Sequence, residues 1–215
     1  MGAGTEKAFL ELDGLPLFAY SIKAFDACEA VNRIVLVAPA ARMAEAESIC
    51  ASICAAKPIE IAPGGSSRQQ SVMAGLAALD PETRIVAIHD AARALVTPEL
   101  IAATVASAIE HGSGVAAGKV VDTLKVADGD MRAISTVDRS RLWAVATPQT
   151  FRADLIRHAY ETAAAKGLDV TDDAGAVEAT GETAHLVEWR GPNFKITFPE
   201  DLERAALVLR SRKWK

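Results

Sequence analysis

Cysteine is scarce in this chain of 215 residues, which has only Cys28, Cys50 and Cys54. An odd number at these spacings matches neither a disulfide-stapled secreted domain nor a zinc site. We therefore expect a reduced, cytoplasmic location. Cys50 and Cys54 lie four residues apart, which predicts one helix face on which both are buried as small apolar side chains.

Long apolar runs and excess basic charge are also missing. No run approaches the roughly 20 apolar residues that a membrane-spanning helix needs, and no signal segment opens the chain, so we expect neither membrane attachment nor export. The chain has 23 Lys and Arg against 28 Asp and Glu, a formal net charge of −5. A nucleic-acid-binding surface usually needs a basic face. Nucleic acid is therefore not an expected partner, whereas a few placed cations would suffice for a small anionic substrate.

The rest of the composition is that of a globular protein, with 50% hydrophobic and 24% charged residues. The length favours a single domain over residues 1–215. Strands and helices alternate, and apolar runs such as 33–38 are typical of strands buried on both faces of a parallel sheet. This pattern predicts a doubly wound, Rossmann-like α/β fold around a mostly parallel sheet, with ligands at the carboxyl ends of the strands. The predicted strands are 33–38, 59–62, 84–89 and 185–188, and the predicted helices are 40–56, 68–78, 98–111, 152–166, 171–181 and 199–212.

The segment at about 118–136 breaks this alternation. Two alternating runs, 120–126 and 131–136, flank Asp128-Gly129, a favoured hairpin turn. We interpret the segment as a projecting β-arm. Because a two-stranded ribbon is marginally stable alone, we expect the arm to contact a second subunit, with folding back onto its own domain as the alternative.

A glycine-rich turn, Pro63-Gly-Gly-Ser-Ser-Arg68, joins a predicted strand to a predicted helix. Its glycines permit close backbone approach, and amides at the start of a helix can face an anion. Such a turn is also common as a plain tight connection. Ser71 and Arg68 favour binding, because a hydroxyl suits a ribose or base edge and a guanidinium suits a phosphate.

Asp90 and Arg93 follow the predicted strand 84–89, which ends at His89, at the edge where α/β enzymes place their ligands. Asp90 could hold a hydrated Mg²⁺ against phosphates, and Arg93 could bridge phosphates. An equally good interpretation is structural: Asp90 caps the turn and forms a salt bridge with Arg93. His89 is expected to be a satisfied core residue.

Five motifs, taken together and in order, resemble one family closely, the 2-C-methyl-D-erythritol 4-phosphate cytidylyltransferases of the non-mevalonate isoprenoid pathway. The similarity covers nearly the whole chain, from Glu6-Lys7 to Asp201. The resemblance implies transfer of CMP from CTP to the sugar-alcohol phosphate, with release of pyrophosphate and with Mg²⁺ as cofactor. The motifs are Gly64-Gly-Ser-Ser-Arg-Gln-Gln-Ser-Val72, His89-Asp-Ala-Ala-Arg93, Thr147-Pro-Gln149, Thr171-Asp-Asp173 and Asn193-Phe-Lys195.

The resemblance also implies roles for single residues. Lys7 and Lys195 would neutralise the phosphates, and Asp90 would organise Mg²⁺ and the attacking phosphate. In this family the arm reaches across a homodimer, so that Thr123 and Arg139 would serve the neighbouring subunit's site. The implied CTP-binding residues are Gly64, Gly65, Ser66, Arg68 and Ser71, and the implied residues for methylerythritol phosphate are Arg93, Thr123, Arg139, Thr147 and Thr171.

One departure from the family concerns the start of the sequence. The family begins with a buried strand and a Gly-Arg loop that wraps the triphosphate, whereas this sequence begins just beyond that loop. We expect this strand and loop to be missing, with Gly2 and Gly4 as remnants of the loop's exit. Two alternatives stay open: a ribitol-5-phosphate cytidylyltransferase, and a truncated or inactive dimeric nucleotide-binding homologue.

Overall fold

The computed structural model describes residues 7–212, so Gly2 and Gly4 lie outside the described part. Within that part, no helix is both long and apolar enough to cross a membrane. A short 3-10 helix, Ala40–Arg42, precedes the second α-helix. The strands are β1 (Glu11–Leu12), β2 (Leu15–Pro16), β3 (Ile34–Ala38), β4 (Ile59–Pro63), β5 (Ile85–Ile88), β6 (Ser113–Lys119), β7 (Lys125–Ala127), β8 (Ala133–Thr136), β9 (Trp143–Arg152) and β10 (Leu186–Glu188), and the helices are α1 (Leu17–Ala27), α2 (Met43–Ile53), α3 (Arg68–Ala77), α4 (Pro98–His111), α5 (Ala153–Ala165), α6 (Asp173–Glu178) and α7 (Pro199–Ser211).

The main sheet has the strand order β10-β6-β9-β5, and β3 pairs with β4 in a separate two-stranded sheet. β10 runs parallel to β6, and β3 runs parallel to β4. β9 runs antiparallel to both of its neighbours. The predicted α/β class is confirmed, although β9 makes the sheet mixed. The reason is the connection: the chain returns from β6 through the arm to β9 without a crossover helix, which parallel pairing would require.

β6 lies at the centre of the packing between sheet and helices. Its residues from Ser113 to Ala117 are all buried. A Cβ added at Gly114 would lie 2.3 Å from the carbonyl oxygen of Thr104, so only glycine lets α4 approach this strand so closely. The Thr150 hydroxyl on β9 donates to the Thr104 hydroxyl at 2.9 Å, which satisfies two buried polar groups.

The arm is an antiparallel ribbon of β7 and β8, as predicted, and every residue of both strands is exposed. The chain turns at Asp128-Gly129 as predicted, but not through a tight two-residue turn. Residues 128–132 form a longer loop in which the Asp128 carboxylate accepts the N–H groups of Asp130 and Arg132 at 3.0 and 2.9 Å. Met131, not the glycine, adopts the left-handed conformation, with φ 61°. The Asp128 side chain organises this wider loop in place of a tight turn.

Aspartates hold the starts of two helices. α6 begins at Asp173, two residues after the predicted start at residue 171, and Asp172 caps it because its Oδ1 accepts the Gly175 N–H at 3.0 Å. α7 begins at Pro199, as predicted, and Asp201 accepts the backbone N–H groups of residues 197 and 198, each at 2.9 Å.

The prediction for the cysteine pair is also wrong. Cys54 is exposed and follows the end of α2 in the left-handed conformation, with φ 54°. Cys50 is half-buried, and burial raises the pKa of its thiol. The two thiols therefore do not share one buried helix face, because the helix ends at Ile53.

Candidate active site

Asp90 follows β5 and stands between two cations. Lys195 Nζ donates to Asp90 Oδ2 at 2.9 Å, and Arg68 Nε donates to Asp90 Oδ1 at 3.3 Å. Burial of this carboxyl raises its pKa, but Arg68 and Lys195 outweigh burial and bring the pKa to about 2. Asp90 is therefore ionised at neutral pH. Its ion pairs in the described part of the chain are with these two residues and not with Arg93, so the alternative of an Asp90–Arg93 salt bridge is wrong.

Arg68 is also bound by the carboxylate of Asp173, a residue to which the sequence analysis gave no role. Its NH1 and NH2 donate to the two oxygens of Asp173 at 3.0 and 2.6 Å. The Tyr160 hydroxyl donates to the same carboxylate at 2.5 Å. The Asp173 side chain is 0% exposed. Burial and the Asp173 charge both raise the pKa of Tyr160, which therefore stays a hydrogen-bond donor.

Thr147, on β9, joins Asp90 to His89. Its hydroxyl accepts the Asp90 backbone N–H at 3.0 Å and lies 3.0 Å from His89 Nδ1. His89 Nε2 lies 3.3 Å from the Arg93 carbonyl oxygen. Both ring nitrogens thus have partners within the protein, which agrees with the expectation of a satisfied core histidine.

Asn193 connects the loop that carries Lys195 to Thr147 and Arg93. Its Nδ2 donates to the Thr147 carbonyl at 2.8 Å, and its own carbonyl accepts Arg93 NH1 at 2.9 Å. Asn193 Oδ1 and Arg93 Nε are buried and have no hydrogen-bond partner among residues 7–212. Buried polar atoms normally have partners, so Asn193 Oδ1 can accept one more bond and Arg93 Nε can donate one.

The glycine-rich turn lies between β4 and α3. A Cβ added at Gly65 would lie 2.3 Å from the Gln70 Cβ, so the turn can close only over glycine. The Gly65 N–H donates to Ser71 Oγ at 3.2 Å, and the Ser66 N–H donates to Gln70 Oε1 at 2.8 Å. Ser67 caps α3. The amides of the turn thus bond to side chains of α3 in this structure, and Arg68 connects the turn to Asp90.

The remaining predicted residues lie at different distances from this centre. Lys7 Nζ donates to the Thr197 carbonyl at 3.0 Å, two residues beyond Lys195. Thr171 is exposed and lies two residues before Asp173. Thr123 and Arg139 are exposed at the arm, where Arg139 NH1 donates to the Val121 carbonyl. The structure thus joins Arg68, Asp90, Arg93, Thr147 and Lys195 through hydrogen bonds, and it leaves Thr123 and Arg139 outside that network.

Asp90 is the candidate ligand for a metal ion at this site. Within residues 7–212, no group of three or more His, Cys, Asp or Glu side chains is placed to hold one. Asp173, the other nearby carboxylate, is buried behind Arg68. Mg²⁺ is usually bound by one or two carboxylates, several waters and substrate phosphates rather than by an all-protein cage. A single carboxylate at this position fits that requirement.

Comparison with known proteins identifies the family. The family model described as IspD, 2-C-methyl-D-erythritol 4-phosphate cytidylyltransferase, matches residues 1–211. The chain belongs to this family. Two relatives that carry the same name come from Pelotomaculum thermopropionicum, 41% identical over 99% of this chain and 90% of the relative, and from Geobacillus kaustophilus, 42% identical over 99% and 92%.

Solved structures of the family have the same fold. The Anaerococcus prevotii 4-diphosphocytidyl-2C-methyl-D-erythritol synthase is similar with a TM-score of 0.86 at 28% identity, covering 94% of this chain and 93% of that one. The Thermus thermophilus 2-C-methyl-D-erythritol 4-phosphate cytidylyltransferase is similar with a TM-score of 0.80 at 32% identity, covering 95% and 94%. The resemblance stated from five sequence motifs is confirmed over nearly the whole chain.

Proposed function

We propose that this protein transfers CMP from CTP to 2-C-methyl-D-erythritol 4-phosphate and releases pyrophosphate, a step in the synthesis of isoprenoid precursors. The observation that carries the proposal is the position of Asp90 between Arg68 and Lys195 at the end of β5, in a chain that belongs to this family. The site combines an ionised carboxylate with nearby cations, which suits chemistry between phosphates. We further propose that the reaction takes place in the cytoplasm.

The reaction is a phosphoryl-centred substitution. A phosphate oxygen of the acceptor forms a bond with the α-phosphorus of CTP, and the bond to the bridging oxygen breaks in line, so that pyrophosphate leaves with the electron pair. Negative charge spreads over the phosphoryl oxygens, and catalysis is mostly positioning and electrostatic stabilisation. Lys195 and Lys7 neutralise this charge. Removal of one such group commonly costs about 2.7–4 kcal/mol of transition-state stabilisation.

The proposed cofactor is Mg²⁺, which supplies additional positive charge to the phosphate oxygens when it is bound. Asp90 is the residue that would hold it, because this carboxylate is ionised and only 17% of its side chain is exposed. The Thr147 hydroxyl accepts the Asp90 backbone N–H and thereby fixes the position of the backbone from which the carboxylate extends.

We assign the two substrates to opposite sides of Asp90. The nucleotide binds at the glycine-rich turn, with Gly64, Gly65, Ser66 and Ser71. When CTP binds, the amides of the turn would exchange their contacts to α3 for contacts to CTP. The acceptor lies towards Arg93, whose buried Nε has no hydrogen-bond partner among residues 7–212. The further acceptor residues are Thr147 and Thr171, together with Thr123 and Arg139 from the arm of a second subunit.

The test is an assay for pyrophosphate release from CTP with each of two acceptors, methylerythritol phosphate and ribitol 5-phosphate. We expect Mg²⁺-dependent turnover with methylerythritol phosphate and little with ribitol 5-phosphate. Preference for ribitol 5-phosphate would contradict the acceptor assignment. CTP binding without turnover of either acceptor would mean that the chain is an inactive nucleotide-binding homologue.

A further inference from the structure

Asp173 is connected to the site although it cannot touch a substrate. Its side chain is 0% exposed, and its partners are Arg68, through two hydrogen bonds, and Tyr160, through one. A buried carboxylate is stable only when such partners satisfy it. Any influence of Asp173 on the reaction must therefore pass through the residues that it holds.

The geometry of Arg68 shows how this influence reaches Asp90. A guanidinium is planar and its N–H groups point in fixed directions. Once NH1 and NH2 are fixed on the two oxygens of Asp173, the direction of Nε–H is fixed too, and that group donates to Asp90 Oδ1 at 3.3 Å. Lys195 holds the other oxygen, Oδ2. The rotation of the Asp90 carboxylate is thus set from both sides.

We propose that Asp173 and Tyr160 are positioning residues, which hold Arg68 so that it orients the Asp90 carboxylate for the reaction. The inference rests on the proposed function, because the need for an oriented Asp90 comes from the transfer chemistry. It also assigns Arg68 a different task from direct CTP binding: three of its donors are directed at carboxylates. Tyr160 contributes because its hydroxyl donates to Asp173 Oδ1, the same oxygen that accepts Arg68 NH1.

The experiment compares two site variants with two matched controls. Asp173→Asn keeps the shape of the side chain but places an N–H group against the guanidinium. Tyr160→Phe removes a single oxygen. The controls change the same residue types in equivalent contacts elsewhere: Asp13→Asn, in the bidentate pair with Arg210 at 3.0 and 2.6 Å, and Tyr20→Phe, whose hydroxyl donates to the Leu12 carbonyl at 2.5 Å.

For each protein, kcat and KM for both substrates are measured together with the melting temperature, and rates are expressed per folded molecule. We expect kcat to fall about 10–100-fold in Asp173→Asn and about threefold to tenfold in Tyr160→Phe, since small misplacements of catalytic groups have effects of this size. KM for both substrates should change by less than about threefold, as expected when only transition-state interactions are lost. The controls should keep the wild-type kcat.

A purely structural role gives a different result. The inference is overturned if both site variants keep kcat within about twofold of the wild type, or if the controls lose kcat equally. Should Asp173→Asn fail to fold, Tyr160→Phe alone decides. If the wild type itself releases no pyrophosphate, the proposed function fails, and crystal structures of wild type and Tyr160→Phe decide the inference. A rotated Asp90 carboxylate in the variant supports it, and an unchanged one overturns it.

Discussion

His89 shows how neighbouring groups determine the protonation state of a single side chain. The Arg93 carbonyl oxygen can only accept, so His89 Nε2 carries the ring proton and donates to it. His89 Nδ1 then accepts the proton of the Thr147 hydroxyl, whose oxygen also accepts the Asp90 N–H. Burial, the largest influence, lowers the pKa of His89 from an ordinary 6.5 to about 4, against the opposing charge of Asp90. The ring is therefore neutral in the folded protein at neutral pH.

This pKa predicts how stability depends on pH. Between 6.5 and 4 the unfolded chain binds a proton at His89 and the folded chain does not, so stability is complete above 6.5 and falls as the pH is lowered towards 4. We expect a loss of about 2 kcal/mol between about pH 7.5 and pH 5. Urea unfolding at both pH values measures it. His89→Gln should flatten this dependence, and the exposed control His158→Gln should not; an unchanged slope in His89→Gln contradicts the prediction.

The sequence predicted those site residues whose position follows from an element end. Asp90 follows a strand, at the edge of the sheet where α/β folds place their ligands, whereas the role of Lys195 came from the family resemblance. Asp173 and Tyr160 were not given a role, because their contacts depend on how helices pack: Asp173 meets Arg68 across 105 positions of the chain. The only local signal was the pair of acids at 172 and 173, which is equally typical of an ordinary helix start.

At the scale of elements, the turn before α3 depends on the absence of a side chain at Gly65. An added Cβ would lie 2.3 Å from Gln70 Cβ, so Gly65→Ala must displace Gln70 and with it the contact to Ser66. Overpacking of this kind costs about 1–3 kcal/mol. We expect a lower melting temperature and a KM for CTP raised by about tenfold, which corresponds to about 1.4 kcal/mol.

The matched control is Gly129→Ala on the arm, where an added Cβ would meet no atom within 4 Å. Steady-state kinetics and thermal melts of both variants make the comparison. If the two variants have the same KM for CTP, the turn does not shape the nucleotide site.

Two elements at the centre of the main sheet, β6 and β9, were not predicted. β6 consists largely of small residues, Ser-Gly-Val-Ala-Ala-Gly-Lys, which have weak strand preference. β9 contains Pro148, and proline normally argues against a central strand. Here Pro148 lies beside a register shift in the pairing with β6 between Val115 and Ala117, where no ladder hydrogen bond from it is needed. Tertiary packing therefore overrides local preference at both strands.

At the scale of the whole molecule, the arm exposes apolar side chains. Met131 is 86% and Ile134 64% exposed, and Val126 is exposed as well. A ribbon of this kind is marginal alone, so a partner that covers these side chains would stabilise it. We therefore expect a homodimer at micromolar concentration and a shift towards monomer in Ile134→Lys. Sedimentation velocity measures both.

Ile109→Lys is the control for this prediction, since Ile109 is 69% exposed on α4, away from the arm. It should leave the dimer intact. A wild-type monomer at micromolar concentration, or equal dissociation of the two variants, would exclude the arm as the subunit contact.

The dimer proposal predicts how defects on the arm and in the core combine. If Arg139 serves the neighbouring site, Arg139→Ala inactivates the partner's site, whereas Lys195→Gln inactivates its own. Each variant alone should lose roughly a hundredfold or more in rate. A mixed dimer then has one intact site, formed by the core of the Arg139→Ala subunit and the arm of the Lys195→Gln subunit.

Mixed dimers, purified through two different tags, should recover about half of the wild-type rate per dimer, because a two-fold symmetric dimer has two equivalent sites. If Arg139 instead acts within its own subunit, both sites of the mixed dimer are defective and pyrophosphate release stays at the level of the parent variants.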